Sequence, residues 1–459
     1  MSDAAAEEQS PDGKQGLSDE LIREVCETID VGLIADAASL ATHLHVADQA
    51  DLIEQLSAEQ RELLLTEIRD DFDPELLSHL DETVRGELLT VLSPEEVGAA
   101  IAKLETDDAI ELLEDLDETD QAALIESLPI PDRVAVEQGL SYPEDSAGRL
   151  MQRQLVAAPE FWTVGQTIDY LRADSALPDD FYDIYIVDPR FCPVGSIPLS
   201  RILRSKRSVH LNDLTMKELH TVPVEMDQEE VGFRFSQYDL VSAPVVDADG
   251  RLVGVITIDD VVEVIEDEAE EDILRLGGVS ETDVFASPLR TTFRRFPWLL
   301  INLATAVLAS IVIAQFEEAI GKIVALAVLM PIVASMGGNA GTQTLTVVVR
   351  ALAVREVTTA NALRVMIKEF MAGSLNGLLF MVAGLIIVFL WYQDPILGLL
   401  FGLAMVVTLV AGVFAGVCIP LILDRLGFDP AVSSGVFLTT VTDVVGFFVF
   451  LGLASLYLL

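Results

Sequence analysis

Asp443 is the only charged residue in FLTTVTDVVGFFVFLGLASLYLL, the stretch that closes the chain from Phe437 to Leu459. A carboxylate near the centre of a membrane helix costs about 2.5–3.5 kcal/mol on insertion scales, so an acid kept there marks function. A second polar island, LMPIVASMGGNAGTQTLTVVVRALA (329–353), crowds Pro331, Gly337, Gly338, Asn339, Gly341 and Gln343 into an apolar run. Gly and Pro loosen a helix and free backbone carbonyls, which at membrane depth is tolerated only around protein or water. Packing through small residues accounts for Gly338 and Gly341. It leaves Asn339 and Gln343 unexplained, and the expectation is a wet cavity. A third group, DDVVEVIEDEAEED (259–272), sets Asp259–Glu263–Asp267–Glu271 and Glu266–Glu270 as like-charged neighbours four apart on a helix. Each such pair is mildly destabilising unless neutralised, which points to a cation-binding face.

These groups belong to two unlike halves. Residues 1–290 hold 66 of the 74 acids and 20 of the 28 bases, while residues 291–459 hold 8 of each. The net charge of −46 therefore resides in the first half. That balance argues against nucleic acid, whose binding needs basic surface, and for multivalent cations. The N-terminus, MSDAAAEEQSPDGKQ, is too acidic and polar for a signal peptide. Cys26, Cys192 and Cys418 lie too far apart in sequence to suggest a metal spacing or a disulfide framework, which fits a reducing compartment.

Residues 20–140 repeat a short helical unit. LSPEEVGAAIAKL (92–104), ETDDAIELLEDL (105–116) and DETDQAALIESL (117–128) follow one another, and LSAEQRELL (56–64) is a further copy. Such helices bury a face only by stacking, which predicts a helical solenoid. In residues 160–268, YIVDPRFCPVGSIPLSRIL (185–203) aligns with PVVDADGRLVGVITIDDVV (244–262) at an offset of 59 residues. Each copy reads strand, turn, strand, helix, and resembles one half of a tandem CBS pair. Such pairs bind adenine nucleotides, metals or nothing. Thr257 and Asp260 match the family's ribose-binding Thr and Asp, which suggests ATP or another adenine nucleotide, whereas the first copy has Pro198 and Arg201 there. From Phe296 onward five spans are expected, at 296–316, 323–349, 370–391, 396–423 and 431–459, each long enough for the roughly 30 Å of hydrocarbon. Basic residues cluster at the ends that put the first half in the cytoplasm and Leu459 outside.

The succession resembles the MgtE family of magnesium channels and transporters. GGNAGTQ (337–343), VVVRALA (347–353), LTTVTDVVG (438–446) and YPEDSAGRLM (142–151) carry the likeness. It implies a multidomain membrane protein. A disordered N-terminus (1–19) precedes an all-α acidic helical N-domain (20–140). An α+β tandem CBS pair (141–268), a connecting plug helix (269–295) and a five-helix transmembrane pore domain (296–459) follow. It also implies a homodimer in the cell's inner membrane, contacting lipid, with no obligatory protein partner. Asp443 matches the acid that holds the permeating ion, with Asn339 and Ala340 lining the same passage. The family's regulatory sites carry over to Asp107 and Glu111 of the N-domain, and to Asp227, Glu229, Asp239 and Asp260 of the CBS pair. Glu263, Glu268, Glu271 and Asp272 of the connecting helix join them, with Asp429 near the inner mouth. The expected function is Mg²⁺ uptake under negative feedback by cytosolic Mg²⁺, and no enzymatic activity. The alternatives are a membrane-anchored CBS sensor that transports nothing, or a transporter of another divalent cation such as Co²⁺.

Overall fold

The computed structural model describes residues 17–459 apart from 70–72, 115, 117, 174–176, 179, 280–287, 359, 433 and 459. The expected disordered N-terminus, except residues 17–19, the middle of the connector and the final Leu459 lie outside the described residues. The chain divides into two compact units, residues 1–266 and 267–459.

The first unit begins with α1 (Asp19–Asp30), α2 (Ile34–Ala41), α3 (Val46–Gln55), α4 (Ala58–Ile68) and α5 (Glu82–Val91). There follow α6 (Pro94–Ile101), α7 (Thr106–Glu114), α8 (Glu118–Ser127) and α9 (Ile130–Leu140). Ser57 with Gln60, and Ser93 with Glu96, form reciprocal capping boxes that start α4 and α6. The short helices turn apolar side chains inward, among them Leu52, Leu64, Leu88 and Leu112, all essentially inaccessible to water. Arginines tie consecutive and alternate helices together. Arg61 Nε donates to Glu87 at 2.8 Å, Arg69 Nε to Glu96 at 2.8 Å, and Arg85 Nη1 to Glu111 at 2.9 Å. The partners stand 26 or 27 residues apart, two repeat lengths, so the ladder follows the repeat seen in the sequence.

After α10 (Ala147–Leu150) come two sheets of identical plan. In the first, β1 (Ala157–Pro159) pairs parallel with β2 (Asp183–Val187), which pairs antiparallel with β3 (Pro193–Pro198). In the second, β4 (Val222–Pro223), β5 (Ser242–Val246) and β6 (Leu252–Thr257) repeat the pairing, and the same register shift recurs 59 residues on. Helices α11 (Val164–Ala173), α12 (Leu199–Leu203) and α13 (Gln228–Tyr238) accompany the strands. The repeated aspartates make the hairpin turns. Asp188 Oδ1 accepts from the backbone N–H groups of Arg190 and Cys192, and Asp247 Oδ1 from those of Asp249 and Arg251. Gly254 is required by close approach, since a Cβ there would stand 2.8 Å from the Gln152 carbonyl oxygen. That approach lets residue 152 exchange both backbone hydrogen bonds with Val255.

Helix α14 (Ile258–Leu276) is continuous with the second CBS-like copy, and the boundary between the two units falls within it. The connector was expected over 269–295. In the structure its first part is the end of α14, and its basic residues open the next helix. The second unit then comprises α15 (Pro288–Ala314), α16 (Glu317–Lys322), α17 (Ala325–Ala353), α18 (Ala362–Tyr392), α19 (Pro395–Arg425) and α20 (Ser434–Leu458). All but α16 are long and apolar enough to cross a membrane, which makes five candidate spans among the described residues. Helices α17 and α20 pack on α19 around Leu326, Leu329, Val333, Phe401, Leu409 and Phe450.

Candidate functional site

In the second unit, α17 runs unbroken through Pro331 and the glycine cluster, so the loosened helix expected there is absent. The residues instead sort by face. Gly337 and Gly341 are buried, and a Cβ at Gly341 would lie 3.0 Å from the Gly412 carbonyl oxygen of α19. Asn339, Thr342, Gln343 and Thr346 stand exposed on the other side. The nearest side-chain atom to a Cβ at Gly338 would be Thr442 Oγ1 of α20, at 3.8 Å. Asn339 and Asp443 each follow a member of that pair, which puts them at one level of the bundle. Asp443 is half-buried, about 14 Å along α20 from its start at 1.5 Å per residue. Ala340 is partly buried against the core.

At the other end of this unit, Asp429 Oδ1 accepts from the Ala431 N–H at 2.7 Å, and its Oδ2 ion-pairs with Arg275. Arg275 also ion-pairs with Glu271. Burial first, then Asp429 and Glu268, push the Asp272 carboxyl up to about 6. Glu268, Glu271, Asp272 and Asp429 are thus gathered in one place.

In the first unit, the acids of α7 meet the start of α14. Asp107 is only 9% exposed, and its Oδ1 has no hydrogen-bond partner among the described residues. Burial raises its pKa well above the carboxylate range, and the charges of Asp260, Asp108 and Glu105 raise it further. Asp108 is pushed up to about 7, first by burial and then by Glu111, Glu105, Asp260 and Glu263. Asp260 reaches about 6, chiefly by burial, against the opposing pull of its hydrogen bond from Thr257. Gln152 donates from Nε2 to Glu105 and, at 3.4 Å, to Asp260. An amide N–H thereby sits between two carboxylates, a position that suits a cation.

Residues 44–145 match a family model described as the MgtE intracellular N domain, 211–267 the CBS domain, and 330–453 the MgtE divalent cation transporter. The magnesium transporter MgtE of Enterococcus faecalis is 32% identical over 319 residues, which is 70% of each chain. This chain belongs to the MgtE family. The Thermus thermophilus MgtE is 34% identical over 322 residues, covering 69% of this chain and 71% of that one. A crystal structure of the cytosolic domain of the Mg²⁺ channel MgtE in complex with ATP is 29% identical. It covers 53% of this chain and 99% of that chain at a TM-score of 0.49.

Not all the acids singled out by the MgtE likeness come together. Asp107, Glu111, Asp260 and Glu263 do, although Glu111 is already held by the buried Arg85. Asp227 caps the N-terminus of α13, accepting from the Glu229 N–H at 2.9 Å, and Asp239 ends the same helix in a left-handed turn with φ 51°. The eleven residues of α13 separate Asp227 from Asp239 by about 18 Å, so one ion cannot be shared between them. Among the described residues no three acids, histidines or cysteines converge tightly enough to cage an ion. Mg²⁺ keeps several waters and is usually held by one or two carboxylates. The orphaned Asp107 oxygen amid mutually raised carboxyls is the feature that fits such a hydrated ion.

A nucleotide fits less well. Thr257 Oγ1 donates to Asp260 Oδ2 at 2.8 Å, and the Thr257 N–H does so at 3.4 Å, which makes this pair the N-terminal cap of α14. The cleft beside Thr257, lined also by Gln152, Asp183 and Ser242, holds a cavity of about 20 Å³, room for about one water. Glu105, Asp108, Gln152 and Arg275 enter the sites unforeseen. Only Asp108, beside Asp107 in the repeat, carried a local signal.

Proposed function

We propose that the chain is a Mg²⁺-selective channel of the cell membrane that works as a homodimer and is closed by cytosolic Mg²⁺. In this reading residues 20–140 form the acidic domain, 141–268 the CBS pair and 296–459 the pore, with the first half inside and the C-terminus outside. The observation that supports it is the common level of Asn339 and Asp443, mid-span, with Asn339 exposed on the single chain. An amide and a carboxylate turned toward hydrocarbon are costly, and a second copy with water between the two removes that cost. Two Asp443 carboxylates match the charge of one Mg²⁺ and accept hydrogen bonds from the waters it retains, while Asn339 and Ala340 line the passage.

Feedback follows from the soluble acids. Asp107, Asp108, Asp260 and Glu263 repel one another when their faces close, and a hydrated Mg²⁺ among them offsets that repulsion. Glu268, Glu271, Asp272 and Asp429 offer a second place, and Asp227, Glu229 and Asp239 separate ones. An ion shifts the balance only by binding the closed state better, and ligands drawn from two closing faces provide that preference.

Mg²⁺ influx into proteoliposomes tests the pore. Asp443→Asn and Asp443→Ala are expected to reduce influx to that of empty liposomes without lowering the thermal transition. Undiminished influx removes Asp443 from the ion path, and equal Co²⁺ and Mg²⁺ influx through the wild type removes the Mg²⁺ selectivity.

A further inference from the structure

The last turn of α14 carries a cation of its own among acids read above as Mg²⁺ ligands. Arg275 reaches Asp429 through Nη1 and Glu271 through Nη2. The Asp429 carboxylate is oriented for this by the Ala431 N–H on its other oxygen. One residue on, Leu276 packs against a cluster formed by Leu345, Val349, Ala415, Ala431 and Leu438. The apolar contact and the ion pair thus fall on successive residues at the same end of α14. A guanidinium is permanently charged and planar, and its donors can serve two carboxylates at once. Two acids hold this arginine, and Asp272 and Glu268 lie close to Asp429, so the group remains negative with Arg275 in place.

We propose that Arg275 is a positioning residue that stands in for the divalent ion. In ion-free protein its guanidinium pins the end of α14 to Asp429, and Mg²⁺ takes over those carboxylates when it binds. The proposal rests on the reading of Glu271, Asp272 and Asp429 as ion ligands. Its consequence is specific. The end of α14 stays on the pore unit at low Mg²⁺, and the ion strengthens an existing junction instead of building one from separated parts.

Hydrogen exchange on the full-length protein in nanodiscs, read over residues 268–279, tests this without any measurement of flux. In EDTA, Arg275→Met is expected to speed exchange about tenfold or more, because a half-buried, charge-assisted junction, backed by the Leu276 contact, controls local opening. Arg275→Lys, which keeps the charge, recovers most of the protection. Millimolar Mg²⁺ restores Arg275→Met to the wild-type level, since the freed Glu271 and Asp429 now face the ion alone. Asp429→Asn loosens the same segment in EDTA, and Mg²⁺ does not rescue it. Wild-type protection of Arg275→Met in EDTA overturns the proposal, and so does a loosened segment that Mg²⁺ fails to restore. Should Arg275→Met loosen α19 as well, Asp429→Asn decides, and wild-type protection there in EDTA overturns the proposal. Exchange can follow this pattern whether or not Asp443 carries the ion, so the two readings fail separately.

Discussion

Asp107 is packed so that little water reaches it, and one of its oxygens has no partner among the described residues. Ionised, it faces Asp260, Asp108 and Glu105, and each of these carboxyls is itself pushed above its ordinary value. The sign of the pH effect follows. From the ordinary value of 3.8 up to about 7 for Asp108 and about 6 for Asp260, the folded chain binds more protons than the unfolded one. The contribution of these groups to stability is therefore greatest at acid pH and declines as pH rises through those values. In Mg²⁺-free buffer the thermal transition of the full-length protein is expected to be higher at pH 5.5 than at pH 8, and millimolar Mg²⁺ to shrink that difference by raising the pH 8 value. Asp107→Asn removes the buried charge but keeps its shape. At pH 8 without Mg²⁺ the variant should melt above the wild type and respond less to the ion. A transition that climbs from pH 5.5 to pH 8 in EDTA would contradict the assignment.

Helix α17 presents two unlike faces, a packed one that carries Gly337 and Gly341 and an exposed polar one. A Cβ at Gly416 of α19 would stand 2.6 Å from the Gly341 carbonyl oxygen and 3.2 Å from the Leu345 nitrogen, so backbone meets backbone there. Gly416→Val is expected to cost about 1–3 kcal/mol by overpacking, read as a lower thermal transition in detergent. Gly338→Ala, with only Thr442 Oγ1 near at 3.8 Å, should leave the transition unchanged. Equal losses in the two variants would mean the helices are not packed this way. The same helix shows what a sequence reveals. The 59-residue repeat, the short helical repeat and the five apolar runs are local patterns, and each appears in the structure as an element. The partner of Gly341 lies on α19, that of Arg275 at Asp429, and those of Gln152 at Glu105 and Asp260. Contacts between segments so far apart leave no periodicity to read. The wet-cavity expectation for residues 337–343 weighed cavity against tight packing as rivals. The glycines pack on one side, while Asn339 and Gln343 stand exposed on the other.

Across the whole molecule charge and hydropathy are segregated. The five spans hold Asp443 as their isolated mid-helix acid, while 66 acids precede residue 291. One mid-span acid can select an ion but cannot report how much of it the cell already holds. Under the proposed function that report comes from the acids of the first unit and of α14, and the only covalent route from them to the spans runs through α14 and residues 277–287. Coupling between linked sites is typically about 1–3 kcal/mol, so several ions acting together would close the pore over a narrow range of concentration. A chain beginning at Gly277 lacks every proposed regulatory ligand except Asp429, and lacks Arg275 as well. It retains α15 to α20 and the core that packs α17, α19 and α20 together. This shortened chain is expected to conduct Mg²⁺ while losing inhibition from the cytosolic side. Patch recordings with internal Mg²⁺ stepped from micromolar to millimolar make the comparison. Full-length protein should close steeply across that range, and the shortened chain should stay open throughout. Equally steep closure of both would place the sensor within the spans and leave the acids of the first unit as solvated surface.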